Sequence, residues 1–208
     1  MVHRREIDGR AVVFGIQGAL WGNAMTWWDH DTGSVWSQPL GEAIAGPLKG
    51  TTLELLPSTL TTYGAWKAEH PGGLALDAPG GRSGFDLRRM AIVVDFSDEA
   101  AAYSVAALRE IGPRNDVVAG VPLVVLTGPA DPDQWAVFSR RLDFRTLTFF
   151  TENGEFIDLD TGTTWDPVRG IALEGPLEGE VLDLLPGFTV FPRDFATFWP
   201  DGRLWTGE

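Results

Sequence analysis

DTGSVWSQPLGEAIAGPLKGTTLELLP, from Asp31 to Pro57, recurs as DTGTTWDPVRGIALEGPLEGEVLDLLP, from Asp160 to Pro186. The two stretches align without a gap at an offset of 129 residues, and 14 of the 27 aligned positions are identical. Chance agreement would give roughly one or two identities. The chain therefore contains an internal repeat, and we call these stretches, with the strands that flank them, the first and second copies.

Most repeated positions are those at which backbone geometry restricts the side chain. Residues 31–33 and 160–162, Asp-Thr-Gly, predict tight turns, because Asp bonds forward to the backbone and Gly adopts positive φ. In residues 52–55 two leucines alternate with a carboxylate, which places both leucines on the buried face of a strand. Trp36 and Trp165 are equivalent, and we expect each to fill the core of its own copy.

The composition excludes several classes of partner. The 208 residues include 16 basic and 29 acidic side chains, for a net charge of -13, so nucleic acid and anionic membranes are not expected partners. No apolar run approaches the ~18 residues that a membrane span needs. The absence of cysteine rules out disulfides and thiolate chemistry. Because no apolar segment follows the basic N-terminus, we expect a cytoplasmic protein.

The first half is predicted to hold a hairpin, an insertion and a helix. The Asp-Gly pair at Asp8 predicts a hairpin over residues 3–16. The first copy carries six more residues than the second, around residues 18–23, and function is often added to a symmetric scaffold by such insertions. A helix is predicted over residues 61–70, capped by Ser58 or Thr59, with a counterpart over residues 191–199.

The middle of the chain reads as strands around one helix. Residues 90–96 predict a central strand, and Ser104 predicts the N-cap of a helix over residues 105–111 that Gly112 closes. Residues 121–126 predict a buried strand, and residues 135–140 alternate like a half-exposed strand.

These elements together predict a β-rich α+β fold. Two pseudo-equivalent halves of short, mostly antiparallel strands each carry one short helix. The glycine-rich stretch 72–82 is the best boundary, which divides the chain into residues 1–82 and 83–208. Neither half has strands enough to bury both of its faces, so we expect the halves to pack on each other through the repeated faces.

The order of motifs resembles the uncharacterised bacterial and archaeal family catalogued as domain of unknown function 3179. In the first half the resemblance rests on the following residues: Asp8-Gly9-Arg10, Asp29, Thr32, Ser34, Trp36-Ser37-Gln38, Gly41 to Ile44, Gly46 to Leu48, Leu56-Pro57, Thr61-Thr62, Trp66 and His70-Pro71. In the second half it rests on Ala102-Tyr103, Arg114 to Asp116, Gly120 to Pro122, Thr161-Gly162 and Trp165. The resemblance implies a fold and candidate site residues, but it does not identify a reaction.

Polar and aromatic residues present only in the first copy predict where a site lies. Ser37, Gln38 and His70 have Asp166, Pro167 and Trp199 at the equivalent positions, so a scaffold role does not require them. We therefore expect a functional surface within residues 18–71. The insertion is expected to cover this surface, and Trp36 is expected to lie at its base. Its candidate ligand-binding residues are Trp21, Asn23, Trp36, Ser37, Gln38, Thr61, Thr62 and Trp66.

Three functions are compatible with this surface. A binding or interaction module for a small molecule or a protein is favoured, because the chain has nine tryptophans and no recognisable catalytic motif. An enzyme that uses His70 as acid or base is an alternative. A metal site would use Asp29, His30 and His70, although their spacing matches no known metal motif. The sequence identifies no cofactor.

Overall fold

The computed structural model describes residues 1–74, 86–97 and 99–208. The predicted boundary at residues 72–82 therefore lies, from residue 75 onward, outside the described residues, and the division into two halves at this point stays a prediction. The described elements are mostly antiparallel strands in several small sheets with three short α-helices, which confirms the β-rich α+β class. None of these helices is long and apolar enough to cross a lipid bilayer.

The first half begins with the predicted hairpin. Its strands, β1 (Glu6–Ile7) and β2 (Arg10–Ala11), are joined by Asp8 and Gly9, whose φ angles of 50° and 74° fit a type I′ turn. A four-stranded antiparallel sheet follows in sequence order: β3 (Phe14–Trp21), β4 (Ala24–Asp29), β5 (Val35–Ser37) and β6 (Glu42–Ala45). Helix α1 (Tyr63–Glu69) closes the half, as predicted.

The middle segment confirms the predicted central strand and helix. β7 (Ala91–Asp95) follows a 3-10 turn (Leu87–Arg89) and pairs with β8 (Ala100–Ser104). Ser104 caps α2 (Val105–Ile111) through a 3.4 Å hydrogen bond from the Ala107 amide to its Oγ, and Gly112 ends the helix.

A three-stranded antiparallel sheet follows. Its strands are β9 (Arg114–Val118), β10 (Val121–Thr127) and β11 (Trp135–Ser139). The prediction of a half-exposed strand at residues 135–140 is wrong, because β11 separates two hydrophobic clusters. Trp135 and Val137 face one cluster, while Ala136 and Phe138 face the other.

The second copy repeats the first in a shorter form. Its hairpin is β12 (Arg141–Leu142) and β13 (Arg145–Thr146), and its four-stranded sheet is β14 (Phe149–Glu152), β15 (Glu155–Asp158), β16 (Thr164–Trp165) and β17 (Ala172–Glu174). The chain ends with β18 (Phe188–Val190), α3 (Pro192–Phe198) and β19 (Arg203–Trp205). β18 pairs antiparallel with β7, and β19 pairs parallel with β8, so β7 lies inside a four-stranded sheet.

The six extra residues of the first copy lengthen one hairpin. β3 and β4 have 8 and 6 residues, whereas β14 and β15 have 4 each. A bulge interrupts the longer hairpin between Ile16 and Leu20. The hydroxyl of Thr26 stabilises this bulge by donating to the carbonyl of Ala19 at 2.8 Å, beside the side-chain oxygen of Gln17 at 3.1 Å.

A turn of each copy lies near the helix that follows the other copy. Leu40 of the first copy and Phe198 of α3 line one cleft. Arg169 of the second copy and Glu69 of α1 line another. Leu40 and Arg169 are equivalent at the repeat offset, and so are Glu69 and Phe198, so the two clefts have corresponding positions in their walls. We call them the α3 cleft and the α1 cleft.

Candidate functional site

Asp29, a candidate metal ligand, is the centre of a buried hydrogen-bond network. It is 0 % exposed, and its carboxylate accepts hydrogen bonds from the Thr32 amide at 2.6 Å, the Ser34 amide at 3.1 Å and the Trp36 indole at 3.0 Å. Burial of Asp29 acts to raise its pKa, but these donors and the Thr32 hydroxyl outweigh it, so the pKa lies below its ordinary value. The carboxylate holds a turn together.

The second copy reproduces this network at the repeat offset. Asp158 is also 0 % exposed and accepts from the Thr161 amide at 2.6 Å and from the Trp165 indole at 2.9 Å. A phenylalanine packs edge-on against each buried indole: the ring centroids of Phe14 and Trp36 are 5.5 Å apart. Because both copies keep the network, it serves the fold.

Trp36 therefore cannot form the floor of a ligand site. It is 0 % exposed and its one polar atom is bound to Asp29. The expectation that it fills the core agrees with the structure, and its candidacy as a ligand-binding residue is corrected. Ser37 is likewise 1 % exposed, and Gln38 uses its backbone, which accepts from His3 Nε2 at 3.1 Å and donates to the Met25 carbonyl at 3.1 Å.

Asp29, His30 and His70 do not come together as metal ligands. Within the described ranges, no three His, Asp or Glu side chains are placed to hold a metal ion. His30 is exposed and stacks on Trp28 with 4.3 Å between ring centroids. His70 lies at the C-terminal end of α1, and the oxygens of Asp29 are already used by the turn.

The insertion, around residues 18–23, does not cover the predicted surface. Trp21, at the end of β3, packs on Phe198 of α3 with 5.3 Å between ring centroids. Gly22 and Asn23 form the hairpin turn, with φ angles of 57° and 66°. The side chain of Trp21 therefore supports a wall of the α3 cleft, and neither it nor Asn23 lines the cleft that contains His70.

Three of the remaining candidates do line one cleft. Thr61, Trp66 and His70 share the α1 cleft, which has a volume of about 410 Å³, with Gln134 of the segment before β11. Its opposite wall is the turn of the second copy, and the further lining residues are Thr59, Ala65, Glu69, Asp166, Pro167, Val168 and Arg169.

Thr62, the last candidate, has a local role. Its Oγ1 accepts a 3.4 Å hydrogen bond from the Ala65 amide and so caps α1. The prediction that Ser58 or Thr59 caps the helix is wrong. The helix therefore begins at Tyr63, and the side chains of Tyr63, Trp66 and His70 lie on one face of it.

These three rings form a ladder along α1. The ring centroids of Tyr63 and Trp66 are 6.0 Å apart, and those of Trp66 and His70 are 5.4 Å apart. Tyr63 is 61 % exposed, and α1 contains no buried residue. The outer edge of Trp66 lies against Gly73, where an added Cβ would be 2.5 Å from the indole Cη2. The loop after α1 therefore holds the indole in place.

The charged wall of the α1 cleft is internally paired. The Arg169 guanidinium lies 2.6 Å from Oδ2 of Asp166 through Nη2, and its Nε lies 4.0 Å from Glu69 Oε1. Burial of Asp166 acts to raise its pKa, yet the amides of Arg169 and Val168 and the guanidinium lower it below its usual range. The hydrogen bond from Arg169 to Asp166 raises the pKa of the guanidinium in turn.

Three polar side chains that line this cleft are not hydrogen-bonded within the described part of the fold. The side chains of Thr61, Gln134 and His70 make no hydrogen bond to any residue that the structure describes. Free polar groups beside an exposed aromatic face are the usual composition of a small-molecule site.

Sequence reasoning missed the second-copy residues of this cleft, Asp166 and Arg169, along with Gln134. It also left out His3, which lines a cleft of about 560 Å³ between the first copy and β7. His3 is the counterpart of Phe138: an added Cβ on Gly41 would be 2.7 Å from the His3 ring, and one on Gly170 would be 2.7 Å from the Phe138 ring. Extending the repeat alignment upstream, across the insertion, would have shown that His3 occupies the position of Phe138.

Comparison with known proteins finds a family resemblance in the first part of this β-rich fold. Residues 1–84 match the model of a family described as protein of unknown function (DUF3179), which supports the resemblance expected from the first-half motifs. The second-half residues that were expected to carry the same resemblance lie outside the match, and this part of the expectation stays a prediction. No curated protein and no solved structure matches the chain.

Proposed function

We propose that the protein is a binding module for a small molecule and that the α1 cleft is its site. The observation that carries this proposal is the convergence of a half-buried indole, Trp66, with polar side chains that have no hydrogen-bond partner in the described part of the chain. These side chains are accessible to solvent, so their hydrogen-bonding groups are available to a ligand.

Comparison of the two helices supports the same site. Trp66 and His70 are the counterparts of Phe195 and Trp199 in α3. Phe195 is 2 % exposed within a core cluster, and the Trp199 indole donates to Asp95 at 2.8 Å. The two positions that hold α3 onto the core therefore remain open in α1, where they line a cleft. Since the core does not need these side chains in the first half, they are free to bind a ligand.

A binding role is favoured over catalysis by His70. His70 is exposed at the end of α1, and its ring contacts only Trp66 among the described rings. No carboxylate or carbonyl of the described residues hydrogen-bonds its imidazole, so nothing orients it as a general acid or base usually is.

The test is a thermal-shift screen of small aromatic, cationic and sugar ligands, followed by titration calorimetry. A ligand of this site raises the melting temperature of the wild type, and Trp66→Ala abolishes the shift. Trp28→Ala is the matched control, because Trp28 is a partly exposed indole that lies outside the cleft. Hits that bind Trp66→Ala as tightly as the wild type would refute the proposed site.

A further inference from the structure

We infer that the ligand of the α1 cleft is an organic cation, with an ammonium or quaternary ammonium group that lies against the Trp66 ring. This inference rests on the proposed function and adds the chemical class of the ligand. Its two sources are the charges of the cleft wall and the ring ladder on α1.

The cleft wall carries one more negative than positive charge. Its ionised side chains are Glu69, Asp166 and Arg169, beside the imidazole of His70. Arg169 makes two short contacts with Asp166, from Nε at 2.7 Å and from Nη2 at 2.6 Å, whereas Glu69 is 4.0 Å away. Glu69, whose ion pair with Arg169 is the longer of the two, is thus the carboxylate that an incoming cation can share.

The only guanidinium among the described residues of this cleft is already neutralised by a carboxylate, which disfavours an anionic ligand. The guanidinium of Arg169 already binds Asp166, and separating the two would leave a partly buried carboxylate without its partner. The net charge of -13 also repels anions over the whole surface and attracts cations.

The rings supply the second half of the recognition. A cation over an indole face is attracted by the ring quadrupole, and Trp is the best of the aromatic side chains for this contact. The indole of Trp66 is held from two sides, by Gly73 at its edge and by the neighbouring rings of Tyr63 and His70. Aromatic rings held in place around a cation are the usual composition of sites for quaternary ammonium groups.

Choline and 3,3-dimethylbutan-1-ol provide a matched pair of probes, since they have the same shape and differ in the charge of one central atom. Calorimetric titration of the full chain at low salt is expected to show choline binding about tenfold more tightly than the neutral alcohol. Benzoate is expected not to bind. Because the attraction is partly electrostatic, choline affinity is expected to fall as salt rises.

Two variants connect the charge preference to the site. Glu69→Gln is expected to lower choline affinity severalfold and to leave the affinity for the alcohol unchanged, while Trp66→Leu weakens choline binding. Glu178→Gln removes one exposed carboxylate from the second copy outside the cleft and is expected to leave both affinities unchanged.

The outcomes separate this inference from the proposed function. Equal binding of choline and the alcohol, abolished by Trp66→Ala, would overturn the cation and leave the site intact. No choline binding at millimolar concentration would overturn the inference whatever other ligands bind. If Glu69→Gln and Glu178→Gln reduce choline binding equally, the binding depends on the overall charge of the protein. That result would also overturn the inference.

Discussion

The indole Nε1 of Trp36 donates a 3.0 Å hydrogen bond to Oδ2 of Asp29, and neither side chain is exposed to solvent. The pair recurs in Trp165 and Asp158 at 2.9 Å. A buried carboxylate is costly unless it is fully hydrogen-bonded, and here backbone amides and a threonine hydroxyl complete the shell. Both copies therefore keep this pair because it stabilises a turn and anchors a core tryptophan. This structural role explains why Asp29 and Trp36 were candidates for a functional site in the sequence.

Asp29→Asn is expected to destabilise the protein strongly. The amide NH2 replaces one carboxylate oxygen, so it opposes either the Thr32 amide or the Ser34 amide and the Trp36 indole as donor against donor. The free energy of unfolding should fall by on the order of 3 kcal/mol. Urea denaturation followed by fluorescence measures it. Asp31→Asn is the control, because Asp31 is exposed in the same turn and a surface change should stay within ~0.5 kcal/mol. Equal stability of the two variants would contradict the assigned role.

The advantage of wild type over Asp29→Asn should disappear in acid. The pKa of Asp29 is lower in the folded chain than its unfolded value of about 3.9, because the hydrogen-bond donors outweigh burial. Its contribution to stability is then complete above about pH 3.9 and is lost as pH falls through the folded pKa. Urea midpoints between pH 7 and pH 2.5 measure the difference. If the difference in urea midpoint between wild type and Asp29→Asn stays constant down to pH 2.5, the ionisation of Asp29 does not contribute to stability in this way.

His3→Phe is expected to stabilise the protein, most of all in mild acid. Burial lowers the pKa of His3, although the Gln38 carbonyl partly opposes it. The unfolded chain therefore takes up a proton more readily, and stability is lost as pH falls below about 6.5 towards the folded pKa. Phe138 shows that the repeat accommodates a phenyl ring here. The melting temperature of His3→Phe should exceed that of wild type more at pH 5.5 than at pH 8.

The control for this change is His70→Gln, because His70 is exposed. Its melting temperature at pH 8 and pH 5.5 shows the effect of removing an imidazole from the surface. The assignment to His3 fails if His3→Phe loses stability between pH 8 and pH 5.5 as steeply as the wild type does.

Trp66→Ala and Phe195→Ala should separate binding from stability. Phe195 is 2 % exposed in a core cluster, so its truncation should cost about 3–5 kcal/mol. Trp66, at the equivalent position of α1, is only partly buried, and its truncation should cost much less. Chemical denaturation compares the two variants. A loss for Trp66→Ala as large as that for Phe195→Ala would show that Trp66 belongs to the core and not to a site.

Trp21 and Phe198 should be energetically coupled across the two halves. Their ring centroids are 5.3 Å apart, and aromatic pairs at this distance contribute about 0.5–1.5 kcal/mol beyond burial. A double-mutant cycle of Trp21→Ala and Phe198→Ala, measured by urea denaturation, is expected to give a coupling energy of about 1 kcal/mol. Additive effects of the two changes would show that the insertion does not brace α3.

The sequence by itself determined the repeat, the strand-rich class and most local elements. These features depend on short-range physics: Asp8-Gly9 sets a hairpin turn, Ser104 and Gly112 bound α2, and an aliphatic run marks β7. The buried tryptophans also followed from the sequence, because the two copies place them at equivalent positions. The resemblance to an uncharacterised family over the first 84 residues rests on the same local motifs.

Only the tertiary structure decided which candidates share a cleft. Thr61, Trp66 and His70 meet Asp166 and Arg169, which lie about a hundred residues away, because the turn of each copy packs against the helix of the other half. No sequence periodicity encodes that contact. It arises from tertiary packing, which places the second-copy turn beside α1 and leaves Trp66 half-buried while its counterpart Phe195 lies in a core cluster.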